Sequence, residues 1–175
     1  MDDLKAVLYE DESGDDASSP CSGFFVSGSR DGFIFGYQSL TNSLRDLHPD
    51  PSDIDILWLI YTRNIDPVLK IVHKPTFERS LIKAKNNLDG LSRGMEAMMF
   101  AVYFAAVESL EAEECRLMFN MDKGFLHNRY RFAVEQALAR AGFLETRELV
   151  VLQAFVVSLV CSDCTPAYGY IFFSN

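Results

Sequence analysis

The sequence contains no apolar run long enough to cross a bilayer. Its longest, Leu149–Val160, spans twelve residues and is interrupted by Gln153 and Ser158, against the ~18–20 that a membrane helix requires. It reads instead as a buried core helix. The start, Met1-Asp2-Asp3-Leu4-Lys5, is acidic where a secretory signal is basic, and it lacks the arginines of a transit peptide. These absences predict a soluble, intracellular protein with no membrane contact. Basic charge is also scarce. A net charge of −9 argues against an autonomous nucleic-acid binder, which carries a basic face. It leaves room for a protein partner inside a larger DNA-binding assembly.

The motifs of catalysis are missing as well. There is no GxSxG elbow, no GxxxxGK[ST] loop, no HExxH and no GxGxxG, so the reading is a non-enzyme. Acidic pairs such as Asp11-Glu12 and Asp15-Asp16 fall in a segment without the structured surroundings that hold a metal. Cysteine numbers four: Cys21, Cys115, Cys161 and Cys164. The last two have CxxC spacing, half of a zinc site. No second CxxC or HxxxH supplies the other half, and His48, His73 and His127 are scattered. Reduced, incidental thiols are the default, with no cofactor in this chain. No run with the two-residue period of a strand is long enough to matter.

What is present is a chain of 175 residues, 49 % hydrophobic and 23 % charged, ordinary globular usage for one domain plus a tail. The acidity is concentrated at one end. Residues 1–31 hold eight acids against Lys5 and Arg30, whereas residues 32–175 hold seventeen against fourteen. The first segment, with its run of acid, Gly and Ser at Glu10–Ser19, reads as a mostly disordered linker. Phe33-Ile34-Phe35-Gly36-Tyr37 is a short aromatic anchor.

From residue 38 to residue 160 the spacing predicts helix after helix joined by short loops. Leu40, Leu44 and Leu47 make a short amphipathic helix, Ser39–Leu47. His48-Pro49-Asp50-Pro51 ends it, and Ser52 caps the next, which is apolar around most of its circumference. Asp66-Pro67 reads as an N-cap and first-position proline for a short helix, Val68–Val72. Thr76 caps Phe77–Leu88. A strongly apolar helix follows Ser92, with Met95, Met98, Met99, Phe100, Tyr103 and Phe104 as plain core, an effector pocket being the alternative. Ser109 caps Glu111–Phe119, Asp122 caps Lys123–Ala141, Gly142 is a C′ glycine, and Thr146 caps Arg147–Val160. His73 reads as structural, at a helix end against free carbonyls, rather than as a ligand or base. Lys123, Arg129, Arg131 and Arg140 could form a basic patch. Glu135, four residues after Arg131, points instead to a solvated face with ordinary ion pairs.

Several blocks carry a family resemblance: FIFGYQSL at Phe33–Leu40, LWLIYTRNIDPVLKIVHKPTF at Leu57–Phe77, AVYFAAVESLEAEEC at Ala101–Cys115, and RYRFAVEQALARAGFLETRELVVLQAF at Arg129–Phe155. In this order they resemble the fungal-specific transcription factor domain, the middle homology region of fungal zinc-cluster regulators. The positions that match the family motifs are Asp66, Pro67, His73, Pro75, Thr76, Tyr103, Arg129, Tyr130, Glu135 and Gln153. The resemblance implies an all-α, irregular multi-helix array over residues 32–160, and a nuclear regulator of transcription. In that family a separate six-cysteine cluster holds zinc and contacts DNA. The middle region is open to self-association, protein partners and small-molecule effectors.

Two departures accompany the resemblance. The zinc cluster has no counterpart in this sequence. Residues 161–175 match nothing in the family pattern and read like sequence from outside the frame or an unspliced intron. The expectation is a truncated product that acts without touching DNA, or a stand-alone modulator that heterodimerises with a full-length regulator. A missing half-domain predicts exposed apolar surface on Ala97–Val107 or Leu149–Val160, and poor solubility.

Overall fold

The computed structural model describes residues 43–162. The acidic segment, the Phe33–Tyr37 run, the first part of the Ser39–Leu47 helix, Cys164 and the tail lie outside the described residues. Within them are six α-helices and no strand: α1 Pro51–Ile60, α2 Lys74–Asn86, α3 Arg93–Glu108, α4 Ala112–Phe119, α5 Lys123–Arg140 and α6 Leu149–Ser162. The all-α expectation holds.

The fold is organised around α3. Every side chain from Ala97 to Val107 is buried, as a helix apolar on all sides requires. Helices α5 and α6 pack along it from two directions and touch each other, and α1 covers a further side. Alanines at 97, 101, 105 and 106 keep the α3 surface low, so its neighbours approach closely. Gly94 extends this surface to the first turn. A methyl group there would stand 2.7 Å from Glu148 Oε2 and 2.8 Å from Val150 Cγ1.

Where a polar side chain caps a helix, sequence and structure agree. Ser92 Oγ accepts from Met95 N at 3.2 Å, and Asp122 Oδ1 accepts from Gly124 N at 2.8 Å, each satisfying an orphan donor. Gly142 takes φ +61°, the left-handed geometry that ends a helix.

Elsewhere the boundaries differ. Helix α1 begins at Pro51 with Asp50 as N-cap, not at Ser52. Proline at a first helical position loses no hydrogen bond. Helix α1 then widens into a π turn, Tyr61–Ile65, so that Asp66 closes a helix rather than opening one. The expected helix Val68–Val72 is absent. Val68 N and Leu69 N both turn back onto Ile65 O, and residues 66–72 form consecutive turns. Helix α2 starts at Lys74 with His73 as N-cap and Pro75 in the first turn, displacing Thr76 from the cap.

Ser109 ends α3 instead of starting α4: its N–H bonds Ala105 O and its hydroxyl donates to Ala106 O at 2.8 Å. Glu111 is the N-cap of α4, with Glu114 accepting its N–H at 2.8 Å. Of the first expected helix, residues 43–47 are described, and only Arg45–Leu47 among them is helical, as a single 3₁₀ turn. Helix α6 begins two residues later than expected, at Leu149, although Thr146 Oγ1 does accept from Glu148 N at 3.1 Å.

The largest difference concerns α6. Its inner row, Val151, Ala154, Val157 and Cys161, is buried. Its outer row is not: Leu149 is 69 % exposed, Leu152 43 %, Val156 41 % and Leu159 47 %. The helix is therefore buried on one side only. Of the two places expected to expose apolar surface, Ala97–Val107 is enclosed and Leu149–Val160 is open.

Candidate functional site

The ten family-motif residues divide between two clusters and one surface position. The first cluster joins residues 46–50 to α3 and α5. Arg129, on α5, reaches across to three backbone carbonyls. Its Nη2 donates to Asp46 O at 3.0 Å and to His48 O at 3.4 Å, and its Nε to Leu47 O at 3.3 Å. The fork of the guanidinium suits this multiple capture of the carbonyls that close the 3₁₀ turn. The rings of the neighbouring Tyr130 and of the α3 residue Tyr103 meet tilted at 57°, 5.6 Å apart, and both are buried. Burial pushes the Tyr130 phenol up to about 12, against Arg129, which favours the anion. Burial raises Tyr103 further still.

His48 completes this cluster. It is 8 % exposed, lies 4.3 Å from the Phe100 ring and meets Tyr103 edge-on at 6.0 Å. Neither ring nitrogen has a hydrogen-bond partner, and the Tyr103 hydroxyl has none either. Burial, with Arg129 nearby, lowers the His48 pKa to about 4, so the ring is neutral at physiological pH. Beside it lies a cleft of about 190 Å³ lined in part by His48, Asp50, Asp53, Arg129 and Tyr130.

The second cluster fixes the turns between α1 and α2. Buried Asp66 pairs with Lys74 Nζ at 2.8 Å. Pro67 is exposed within the turn. His73 Nδ1 lies 2.8 Å from Thr76 Oγ1, while His73 O accepts from Thr76 N and Phe77 N. His73 is thus structural, at the start of a helix rather than beside the free carbonyls of an end. Pro75 O accepts from Arg79 Nε at 3.0 Å. Gln153, on α6, anchors the turns from the other side by donating to Ile71 O at 2.7 Å. Glu135 belongs to neither cluster and pairs with Arg131 at 3.1 Å, four residues apart on α5.

The proposed basic patch is dispersed. Lys123 Nζ donates to Leu110 O at 2.6 Å and to Glu108 O at 3.3 Å, closing the end of α3. Arg140 pairs with Glu96 at 3.0 Å. Arg129 serves backbone carbonyls, and Arg131 serves Glu135. Of the methionine and aromatic set of α3, Met98, Met99, Phe100, Tyr103 and Phe104 are core, whereas Met95 is half-buried and lines a cleft with Ala84 and Leu91. Among the described residues no group of three His, Cys, Asp or Glu side chains could hold a metal ion, and no helix is long and apolar enough to cross a membrane.

Several structural residues escaped the sequence reading. They include Glu108 with His127, paired at 2.5 Å, and Trp58 Nε1, which donates to Glu78 at 3.3 Å. The partners are nineteen and twenty residues apart, beyond any local pattern.

An arrangement in which polar side chains mostly hold loops and helix ends to a buried core suits a scaffold. The transcriptional regulator AacuB of Aspergillus aculeatus is 34 % identical over 145 residues, covering 82 % of this chain and 20 % of the relative. The C6 finger domain transcription factor adaR of Aspergillus niger is 36 % identical over 140 residues, 75 % of this chain and 18 % of the relative. The aurofusarin cluster transcription factor aurR2 of Gibberella zeae is 35 % identical over 127 residues, 73 % and 19 % respectively.

These relatives are transcription regulators. The chain is a homologue of the fungal C6 zinc-cluster transcription factors, truncated relative to them. It spans about a fifth of the length of these curated relatives. No protein-family model matches the sequence, and no solved structure matches it.

Proposed function

We propose that this chain is the regulatory, non-DNA-contacting part of a fungal zinc-cluster transcription factor, a non-enzyme that works in the nucleus through protein contacts. The carrying observation is the homology over three quarters or more of the chain to transcription regulators, combined with what its charged side chains do here. The cations of α5 are occupied by carbonyls and carboxylates rather than arrayed toward a phosphate backbone. Residues 1–31 act as an acidic linker, 32–160 as the helical domain, and 161–175 as a tail outside the family pattern. Zinc belongs to the six-cysteine cluster of the relatives, not to this segment.

A second reading is a stand-alone modulator that heterodimerises with a full-length regulator. One surface favours it. At the α4–α5 turn, Leu117, Met118, Met121 and Phe125 are all exposed. Adaptable methionines beside an aromatic ring suit a protein contact.

Full-length sequencing of transcripts from the locus separates the two. Reads that extend into a six-cysteine basic segment and splice past Val160 give the first. Reads bounded by Met1 and Asn175 give the second, and then the chain should co-purify with a full-length relative, a complex that Phe125→Glu should weaken at least tenfold.

A further inference from the structure

The cleft of about 190 Å³ beside His48 lies where the start of α1, the end of α4 and the first turns of α5 converge. Its wall carries more hydrogen-bonding capacity than the fold uses. His48 is more than nine-tenths buried, and neither ring nitrogen has a partner. Arg129 commits Nε and Nη2 to the carbonyls of residues 46–48. Its Nη1 makes no hydrogen bond among the described residues. Asp50 is the N-cap of α1, yet its side chain makes no capping bond. Among the described residues no ion pair holds Asp50 or Asp53.

Acids at a helix start complement its dipole, which accounts for the two carboxylates on their own. It does not account for an unpartnered histidine sealed beside them. Nearly all buried polar groups in native proteins have a partner, and an exception at a cleft wall points to a missing ligand.

We propose that this cleft binds a small amino-carboxylate, of the kind represented by a free apolar α-amino acid. Charge selects the class. The carboxylates of Asp50 and Asp53 suit an ammonium, and the guanidinium of Arg129 suits a carboxylate. All three residues line the same cleft, and Arg129 is in no ion pair with either acid among the described residues. A ligand with both charges satisfies both kinds of group, whereas an ion of one sign is attracted by one and repelled by the other. Phe119, Met121 and Leu126 complete the wall and offer an apolar side chain its surface. The volume is below the ~300–1,000 Å³ of sites for drug-sized ligands, and suits a molecule of amino-acid size. Neutral His48 can accept as well as donate, so the polar end of the ligand supplies the partner that the fold leaves out. The site does not depend on how the chain acts in transcription.

The test uses the full chain with L-alanine, L-valine, L-leucine and L-methionine as probes. Calorimetry reads affinity, and ring-nitrogen NMR reads His48, assigned by comparison with His48→Leu. At least one amino acid should bind, shift the His48 resonances and raise the melting temperature. The analogues that lack one charge, isoamylamine and isocaproate in the case of leucine, should bind roughly tenfold more weakly or not at all. Asp53→Asn should weaken binding by roughly the same factor. Asp55→Asn makes the same charge change on α1 outside the cleft, at a residue paired with Lys85, and should bind as wild type. Circular dichroism establishes that both variants are helical. Absence of binding by all four amino acids overturns the proposal. So does an amine or acid analogue that binds as tightly as its amino acid, which makes the cleft a simple cation or anion site. Binding that leaves His48 unmoved, or that Asp53→Asn and Asp55→Asn weaken equally, overturns it as well.

Discussion

His48 is neutral at physiological pH because its ring is sealed between Phe100 and Tyr103 with both nitrogens unpartnered. The native state takes up a proton there only near pH 4, whereas an unfolded chain takes it up near 6.5. Between those values the unfolded state binds more protons, so stability falls as pH falls. The shift corresponds to about 3 kcal/mol in all, complete by about pH 4. Urea melts at pH 7 and pH 5 should show a loss in the wild type that His48→Leu largely abolishes. An unchanged difference between the two pH values in that variant contradicts the assignment.

Arg129 acts at the same scale, holding the carbonyls of residues 46–48. Arg129→Lys keeps the charge but loses the fork. It should cost roughly 2 kcal/mol and speed amide exchange at Leu47 and His48, whose N–H groups bond Leu44 O and Arg45 O. Protection that stays at wild-type levels contradicts the clamp. Neither role was legible in the sequence. Arg129 lies 81 to 83 residues from its acceptors, and three scattered histidines give no sign of which is buried.

At the scale of elements, legibility followed the kind of signal. Ser92, Asp122 and Gly142 mark helix ends by local chemistry, and the structure uses all three. Asp66-Pro67 has the same appearance but closes the helix that ends at Ile65, because Val68 N and Leu69 N turn back onto Ile65 O instead of opening a new helix. The apolar content of α6 was legible, but not its one-sided burial. Which face is covered depends on where α3 and α5 lie, and periodicity within α6 cannot supply that. Gly94 shows how close these helices come. Alanine gains about 1 kcal/mol in helix propensity, yet its methyl group would meet Val150 and Val151 within 3.0 Å. Overpacking of this sort costs roughly 1–3 kcal/mol. Gly94→Ala should therefore lower the denaturant midpoint, and a raised midpoint would show that α6 yields easily.

At the scale of the whole molecule, a helix buried on every side is surrounded by partners that are themselves incompletely covered. The described residues form a core with α3 at its centre, and the exposed faces at α6 and at the α4–α5 turn are apolar rather than basic. Homology to transcription regulators and this surface are what support the proposed regulation by protein contact without contact to DNA. Binding of the purified full chain to promoter DNA of the regulated genes, alone and with a full-length regulator present, tests this most directly. The account predicts no shift by the chain alone at low or physiological salt, and its appearance on DNA only together with the regulator. A salt-dependent shift by the chain alone would contradict it.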